Sequence, residues 1–217
     1  LETEMMYWIK RLAFLLLILP MAMCQAQSDR YEAGVHYEVL PQAVRTADPA
    51  KIEVNGVFSY TCSHCYDFEA LLHPWSEQLA NDVDFQQTPV VWQPSLEPFA
   101  RAYFSAVSLK VLDKVHMPIF EAIHVKRQAV RTEQDVAAIF AAQGVEEDRF
   151  SKIYNSFGMT SMVNQAKART AGYRVQGTPE VIVNGKYRVS GRLAGGFSGM
   201  LKVADFLIEK ERSSKLQ

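Results

Sequence analysis

The sequence predicts an α/β fold in which a lobe built on a β-sheet is interrupted by a helical insertion. Strand-forming residues dominate KIEVNGVFSY at 51–60, helical patterns fill the chain from about Pro94 to Gly172, and strand character returns in PEVIVNGKYRVSG at 179–191. The chain has 217 residues, of which 48 % are hydrophobic, so it is long enough to bury a core of this kind.

The beginning of the chain matches an export signal. Two basic residues precede the apolar run Leu12–Met23, which is shorter than the roughly 20 residues of a bilayer span but fits the apolar middle of a secretory signal. We place the signal at residues 1–26, with cleavage after Ala26 or after Cys24, and treat the residues before the first methionine as upstream sequence. A lipid anchor on Cys24 is disfavoured because Met23 is larger than the residue expected before a lipidated cysteine. An uncleaved anchor is the other alternative.

Residues 27–93 are assigned to the first part of a sheet lobe. Val35–Leu40 predicts a short extended segment that ends at a proline. Lys51–Tyr60 is continuous enough in β-branched and aromatic residues for a buried central strand, with Gly56 as a weak point inside it.

A helix is expected to follow that strand at once. Apolar residues recur at three- and four-residue spacing from Cys62 onward, and Pro74 is expected to kink the helix. A second strand lies within residues 83–92, where Pro89 indicates an irregularity or an edge position.

Residues 94–171 are assigned to an inserted helical domain, because the helical patterns there are not interrupted by any low-complexity linker. Thr132, with an acidic residue three positions later, predicts a helix start, and Gly144 predicts the end of that helix. Ser161 and Gly172 are expected to bracket the last helix. The insertion is therefore expected to pack on the first lobe.

Residues 172–217 complete the sheet lobe. Alternating strand formers flank Asn184-Gly185, the pair that a type I′ turn favours, so this segment predicts a β-hairpin. Ser198–Lys210 predicts an amphipathic helix, and Ser213–Gln217 predicts a polar tail.

The balance of charge excludes nucleic acid as a partner. The chain has 23 Lys and Arg against 24 Asp and Glu, a formal charge of −1, and no basic block.

Three cysteines are too few for a disulfide-stapled mini-domain, yet Cys62 and Cys65 are separated by only two residues. The chemistry of the protein is therefore expected at this pair.

The pair at Cys62 and Cys65 stands at a helix start, where unpaired N–H groups stabilise a thiolate. His64 can add a hydrogen bond or a positive charge. We expect Cys62 to be the nucleophile, with a lowered pKa, and Cys65 to be the more buried thiol that resolves a mixed disulfide. Because stabilisation of the thiolate makes a disulfide easier to reduce, the pair predicts an oxidising disulfide.

No metal site is predicted. A single CxxC supplies two ligands where a closed zinc site needs four, and the sequence has no second pair. The other histidines show no ligand spacing and are expected to be surface or packing residues: His36, His73, His116 and His124.

With these motifs the chain resembles the DsbA family of bacterial periplasmic thiol:disulfide oxidoreductases, over essentially the whole length after the signal. The resemblance rests on three segments of the sequence: FSYTCSHCYDFE, FARAYFSA and GTPEVIVNGKYRVSG. It implies a thioredoxin fold with an inserted helical domain, a periplasmic location, and an oxidase that donates its disulfide to exported proteins. It also implies reoxidation by a membrane quinone-linked partner of the DsbB type. Thr178-Pro179 then corresponds to a cis pair that faces the cysteines and binds an extended substrate.

The chain departs from the family pattern at three places. Ser63 stands where many relatives have Pro, which leaves the turn less constrained and bears on redox tuning. Gly56 stands where the family often has a buried acid with a lysine across the sheet, and Gln86 and Gln87 occupy the facing region, so this ion pair is expected to be absent. Thr178 occurs in isomerase-like and reductase-like relatives as well as in oxidases.

The resulting hypothesis is a monomeric oxidase with no cofactor beyond the Cys62–Cys65 disulfide and with some apolar surface near Thr178 and Pro179. An isomerase or reductase of the same fold is the first alternative, although too few residues precede Cys62 for the dimerisation domain of a DsbC-like isomerase. A periplasmic metal carrier or a chaperone on the same scaffold is the alternative from a different class.

Overall fold

The computed structural model of the protein describes residues 30–215, so the predicted signal and Cys24 lie outside the described residues. In this part the strands are β1 (Glu38–Val39), β2 (Ile52–Phe58), β3 (Val83–Pro89), β4 (Glu180–Val183) and β5 (Tyr187–Ser190). The α-helices are α1 (Ser63–Ser76), α2 (Glu97–Leu109), α3 (Leu112–His124), α4 (Glu133–Ala142), α5 (Glu147–Tyr154), α6 (Phe157–Gly172), α7 (Gly191–Ala194) and α8 (Phe197–Lys215). None of these helices has the combination of length and apolar character that a membrane crossing requires.

The strands form one sheet in the order β1-β5-β4-β2-β3. All seven residues of β2 are buried, including the polar Glu53 and Asn55, as expected for a central strand covered on both faces. β3 lies parallel to β2 at the edge of the sheet and ends at Pro89, while the other neighbouring strands are antiparallel. The predicted edge position of Pro89 is therefore confirmed.

Helices α2 to α6 lie between β3 and β4 in the chain. The predicted start of α4 is confirmed, because the Thr132 hydroxyl accepts a hydrogen bond from the Asp135 amide at 3.2 Å and the Asp135 carboxylate accepts one from the Thr132 amide at 2.8 Å. The predicted start of α6 at Ser161 is wrong. Ser156 caps this helix, its hydroxyl accepting from the Met159 amide at 3.1 Å, and Ser161 lies within the helix.

One cluster of buried hydrophobic side chains joins the sheet to these helices. The ring of Phe58 in β2 packs against Tyr103 of α2 and Phe120 of α3, with ring centroids 5.3 and 6.0 Å apart. Cys65 belongs to the same cluster. The helices between β3 and β4 therefore pack directly behind the CxxC segment.

The predicted hairpin joins β4 and β5. Asn184 and Gly185 both have positive φ, 51° and 62°, as a type I′ turn requires. A Cβ atom on Gly185 would lie 2.0 Å from the carbonyl oxygen of Val44, so only glycine fits this turn.

The last helix is longer than predicted, because Ser213–Lys215 continues α8 instead of forming a polar tail. Glu211 is buried and accepts a hydrogen bond from Lys186 at 2.7 Å. The ammonium group of Lys215 donates to the carbonyl groups of residues 49–51 at 3.0 to 3.1 Å. These tertiary contacts stabilise the final turn.

Candidate active site

Cys62 is the N-cap residue of α1. Its backbone is extended, with φ −93° and ψ 115°, and its side chain makes no capping bond. The amides of Cys65 and Tyr66 donate to its carbonyl at 3.1 and 3.2 Å, while its own amide donates to Ser59 at 3.1 Å. The sulfur of Cys62 therefore lies at the positive end of the helix, as the sequence predicts.

The two thiols have very different environments. Both are free in the structure, but Cys62 is half-buried and Cys65 is only 1 % exposed. A hydrogen bond from the Cys65 thiol is the main cause that lowers the pKa of Cys62, from 9.0 to about 5. Hydrogen bonds from the Thr178 side chain and from the amides of Cys65 and His64 lower this pKa further, while burial opposes them.

The pKa of Cys65 moves in the opposite direction. Burial raises it far above the ordinary thiol value, and the neighbouring sulfur of Cys62 adds to the effect. At neutral pH the structure therefore holds Cys62 as a thiolate and Cys65 as a thiol that donates a hydrogen bond to it.

The loop before β4 brings Thr178 to this sulfur. The Thr178–Pro179 peptide bond is cis, as the family resemblance implies. The carbonyl oxygen of Thr178 lies 3.3 Å from the sulfur of Cys62, which donates to it when protonated. Four of the predicted site residues, Cys62, Cys65, Thr178 and Pro179, are thus at one place in the fold.

Ser63 and His64 occupy the first two positions of α1 and are both exposed. The imidazole of His64 stands against the ring of Phe197, with the ring centroids 6.2 Å apart. The backbone amide of His64 favours the Cys62 thiolate. The hydrogen bond or positive charge expected of its ring stays a prediction.

A buried polar network behind the dithiol was not foreseen from the sequence. Gly56 is paired with Gln87, whose amide group donates to Glu69 at 2.7 Å. Glu69 is 5 % exposed and lies 3.5 Å from the Nε2 atom of His116, whose Nδ1 atom is 2.7 Å from the Tyr60 hydroxyl. A buried acid is therefore present near position 56, but it is Glu69 of α1 and not a residue of β2. The four-residue spacing between Cys65 and Glu69 places both on one face of the helix, and this was the signal available in the sequence.

The surface and packing roles predicted for the histidines are confirmed at His73 and His124. His73 is an exposed residue beside Glu77. His124 is a packing residue next to the dithiol segment, with its Nε2 atom 2.8 Å from the Tyr60 carbonyl and its ring stacked on Tyr66. Among residues 30–215, no group of three or more His, Cys, Asp or Glu is arranged to hold a metal ion.

A free thiol pair of this kind, at the start of a helix in a thioredoxin fold with a helical insertion, defines a thiol:disulfide oxidoreductase. A sequence model of the DSBA-like thioredoxin domain matches residues 82–198. The chain belongs to the DsbA family.

Curated relatives agree over most of their length. The chain is 40 % identical over 189 residues to the thiol:disulfide interchange protein DsbA of Pseudomonas aeruginosa, covering 87 % of this chain and 90 % of the relative. It is 38 % identical over 182 residues to the protein of the same name from Azotobacter vinelandii, covering 84 % and 85 %.

Solved structures agree as well. The crystal structure of Pseudomonas aeruginosa DsbA superimposes with a TM-score of 0.84 at 38 % identity, covering 88 % of this chain and 99 % of that one. The oxidoreductase DsbA from Xylella fastidiosa gives a TM-score of 0.78 at 36 % identity, covering 84 % and 98 %.

Proposed function

We propose that this oxidoreductase is an oxidase that donates the Cys62–Cys65 disulfide to reduced exported polypeptides. The observation that carries the proposal is the opposed titration of the two thiols, with the pKa of Cys62 lowered to about 5 and that of Cys65 raised. Stabilising the thiolate favours the reduced protein over the disulfide, and each 30 mV or so of potential corresponds to about 1.4 kcal/mol. The disulfide is therefore a good electron acceptor.

The reaction begins when a substrate thiolate attacks the sulfur of Cys62. The Cys62–Cys65 bond breaks, its electron pair goes to Cys65, and Cys65 takes up a proton because its buried thiolate is unstable. A second substrate thiolate then attacks the substrate sulfur of the mixed disulfide. Cys62 leaves as the stabilised thiolate, so the substrate is oxidised by two electrons and the protein is reduced by two.

Thr178 and Pro179 are proposed to bind the substrate backbone. The carbonyl of Thr178 already lies at the sulfur of Cys62, at 3.3 Å. An extended substrate that pairs with the backbone here brings its own cysteine next to Cys62. Ser63 and His64 border the same face, where Ser63 tunes the turn and His64 contributes its amide.

The proposal extends to the organisation of the protein in the cell. After cleavage of the signal, the exported, periplasmic protein begins at about residue 27. Residues 27–93 and 172–217 form its thioredoxin-like domain, and residues 94–171 form the insertion. It acts as a monomer with no cofactor except the Cys62–Cys65 disulfide. A membrane quinone-linked oxidase of the DsbB type reoxidises it.

The redox equilibrium of the purified protein with glutathione tests the oxidase assignment, with Cys62→Ser as the control that cannot form the disulfide. We expect a potential well above the −270 mV or so of thioredoxin. A potential as low as that of thioredoxin would favour a reductase. Stoichiometric metal in the purified protein would favour the carrier.

A further inference from the structure

A cavity of about 500 Å³ lies beside the cis pair Thr178–Pro179. An apolar surface was expected here for unfolded substrates. Charged side chains from neighbouring strands nevertheless line part of its wall: Glu38 of β1, Glu180 of β4 and Arg188 of β5.

Arg188 is shared unequally between the two carboxylates. Its Nε and Nη2 atoms both donate to one oxygen of Glu38, the Nε atom at 2.9 Å. The Oε2 atom of Glu180 is 3.9 Å from the same Nε atom and has no hydrogen-bond partner among residues 30–215. Glu180 is 5 % exposed, and burial raises its pKa to about 7, against the opposing charge of Arg188.

The loop that leads into the cis pair lines the same cavity as Glu180, through Gln176 and Gly177. The backbone N–H groups of Gln176 and Gly177 act on the Glu180 carboxylate and lower its pKa. Gly177 directly precedes Thr178, whose carbonyl lies at the sulfur of Cys62. The ion cluster and the backbone next to the reacting sulfur therefore share one cavity.

We propose that Glu180 is a positioning residue for thiol exchange: its ionised carboxylate, 3.9 Å from the Nε atom of Arg188, orders the loop that presents Thr178 to the incoming substrate strand. The inference rests on the proposed oxidase function and deepens it. When Glu180 takes up a proton, the charge that attracts the two loop amides is lost and the loop binds an extended peptide less well. A small thiol does not use the loop, so its reaction is unchanged.

The groups that face Glu180 are Glu38, Arg188 and the two loop amides, while His64 and Arg192 line the same cavity. A His64 variant separates the imidazole of His64 from Glu180 in any measurement of pH dependence.

The test compares oxidation of a reduced two-cysteine peptide and of dithiothreitol from about pH 5.5 to 8.5, in wild type and in Glu180→Gln, with rates expressed as variant over wild type at each pH. Glutamine resembles the protonated acid. With the peptide we expect a ratio near one at about pH 6 that falls to about one fifth at about pH 8, the effect of one hydrogen bond, through KM and not kcat. With dithiothreitol the ratio stays near one at every pH.

Three further variants complete the comparison. Glu38→Gln frees Arg188 for Glu180 and removes a charge that raises the pKa of Glu180. The fast peptide oxidation that the wild type shows at high pH should therefore extend to lower pH in this variant. Glu97→Gln removes a carboxylate on α2 that pairs with Lys167 of α6, and its ratio should stay near one. In His64→Asn the inflection near pH 7 should remain.

A peptide ratio for Glu180→Gln that does not change with pH overturns the inference, as does an equal loss with dithiothreitol. If Glu180→Gln does not fold, Glu38→Gln tests the inference in its place. A pH profile of peptide oxidation that is not shifted in Glu38→Gln also overturns the inference. A wild-type protein that oxidises no peptide contradicts the oxidase function itself. Normal peptide oxidation with a flat ratio contradicts only the role of Glu180.

Discussion

The reactivity of Cys62 depends on three groups close to its sulfur. The Cys65 thiol, the backbone amides at the start of α1 and Thr178 all favour the charged sulfur, while burial disfavours it. The amides belong to the helix and not to particular side chains, so most substitutions at Ser63 or His64 preserve them. The stabilisation that these amides give the thiolate therefore does not depend on the side chains between the cysteines.

Ser63→Pro should stabilise the protein by about 0.4–1 kcal/mol without changing the thiolate. Proline is favoured at the first position of a helix, and the extended backbone of Cys62 suits the residue before a proline. The causes that lower the pKa of Cys62 do not include the amide of Ser63. Denaturant unfolding checks the gain, with Ser63→Ala as the matched control. A loss of stability would show that proline does not fit position 63. A Cys62 pKa near 9 in this variant would show that the amide of Ser63 is needed for the thiolate.

Stability of the reduced protein should depend on pH in a way that the oxidised protein does not share. The pKa of Cys62 falls from 9.0 in an ordinary thiol to about 5 in the fold. This stabilisation is complete above about pH 9 and is lost as pH falls to about 5. Urea midpoints measured for both forms at several pH values check it. A constant difference between the two forms from about pH 5 to 9 would refute the shift.

At the scale of the element, backbone conformation decides which residues the turns accept. Gly185 in the hairpin and Gly195 after α7 both have positive φ, 62° and 76°. They differ in space, because a Cβ atom on Gly185 would meet Val44 whereas nothing lies within 4 Å of one on Gly195. The two glycines therefore separate backbone strain from steric exclusion.

Gly195→Ala should cost about 1–2 kcal/mol, the usual penalty for a left-handed alanine. Gly185→Ala should cost clearly more, because its methyl group would overlap the carbonyl oxygen of Val44. Chemical denaturation of both variants measures the difference. Equal losses would mean that the close approach of Val44 is not maintained in solution.

Local sequence predicted the order of elements well, because strands, caps and the hairpin leave signals within a few residues. The start of α6 was missed because the helix begins on Phe157, an apolar residue that is 89 % exposed. The pairing of Glu69 with His116 was missed for another reason. It joins α1 to α3, and only tertiary packing brings these helices together.

At the scale of the whole molecule, the sheet and the insertion share one hydrophobic core. Phe120 of α3 is completely buried and contacts Phe58 and Tyr60 of the sheet lobe, with ring centroids 6.0 and 4.8 Å apart. It also lies against Tyr66 of α1, with the ring centroids 5.9 Å apart. The helical insertion therefore supports the position of the CxxC helix.

Phe120→Ala should cost about 3–5 kcal/mol and should destabilise both lobes together. Far-ultraviolet circular dichroism and tryptophan fluorescence should then report the same unfolding midpoint, before and after the substitution. Phe157→Ala removes an exposed ring of the same kind and should change stability little. Two separate transitions would show that the lobes fold independently.

The central claim is that the fold holds Cys62 as a thiolate, and titration of the thiolate absorbance of the reduced protein tests it most directly. The reduced protein should give one transition near pH 5, absent in Cys62→Ser and shifted upward in Cys65→Ala, which lacks a side-chain donor to the Cys62 sulfur. A transition near 9, the value of an ordinary cysteine, would contradict the account.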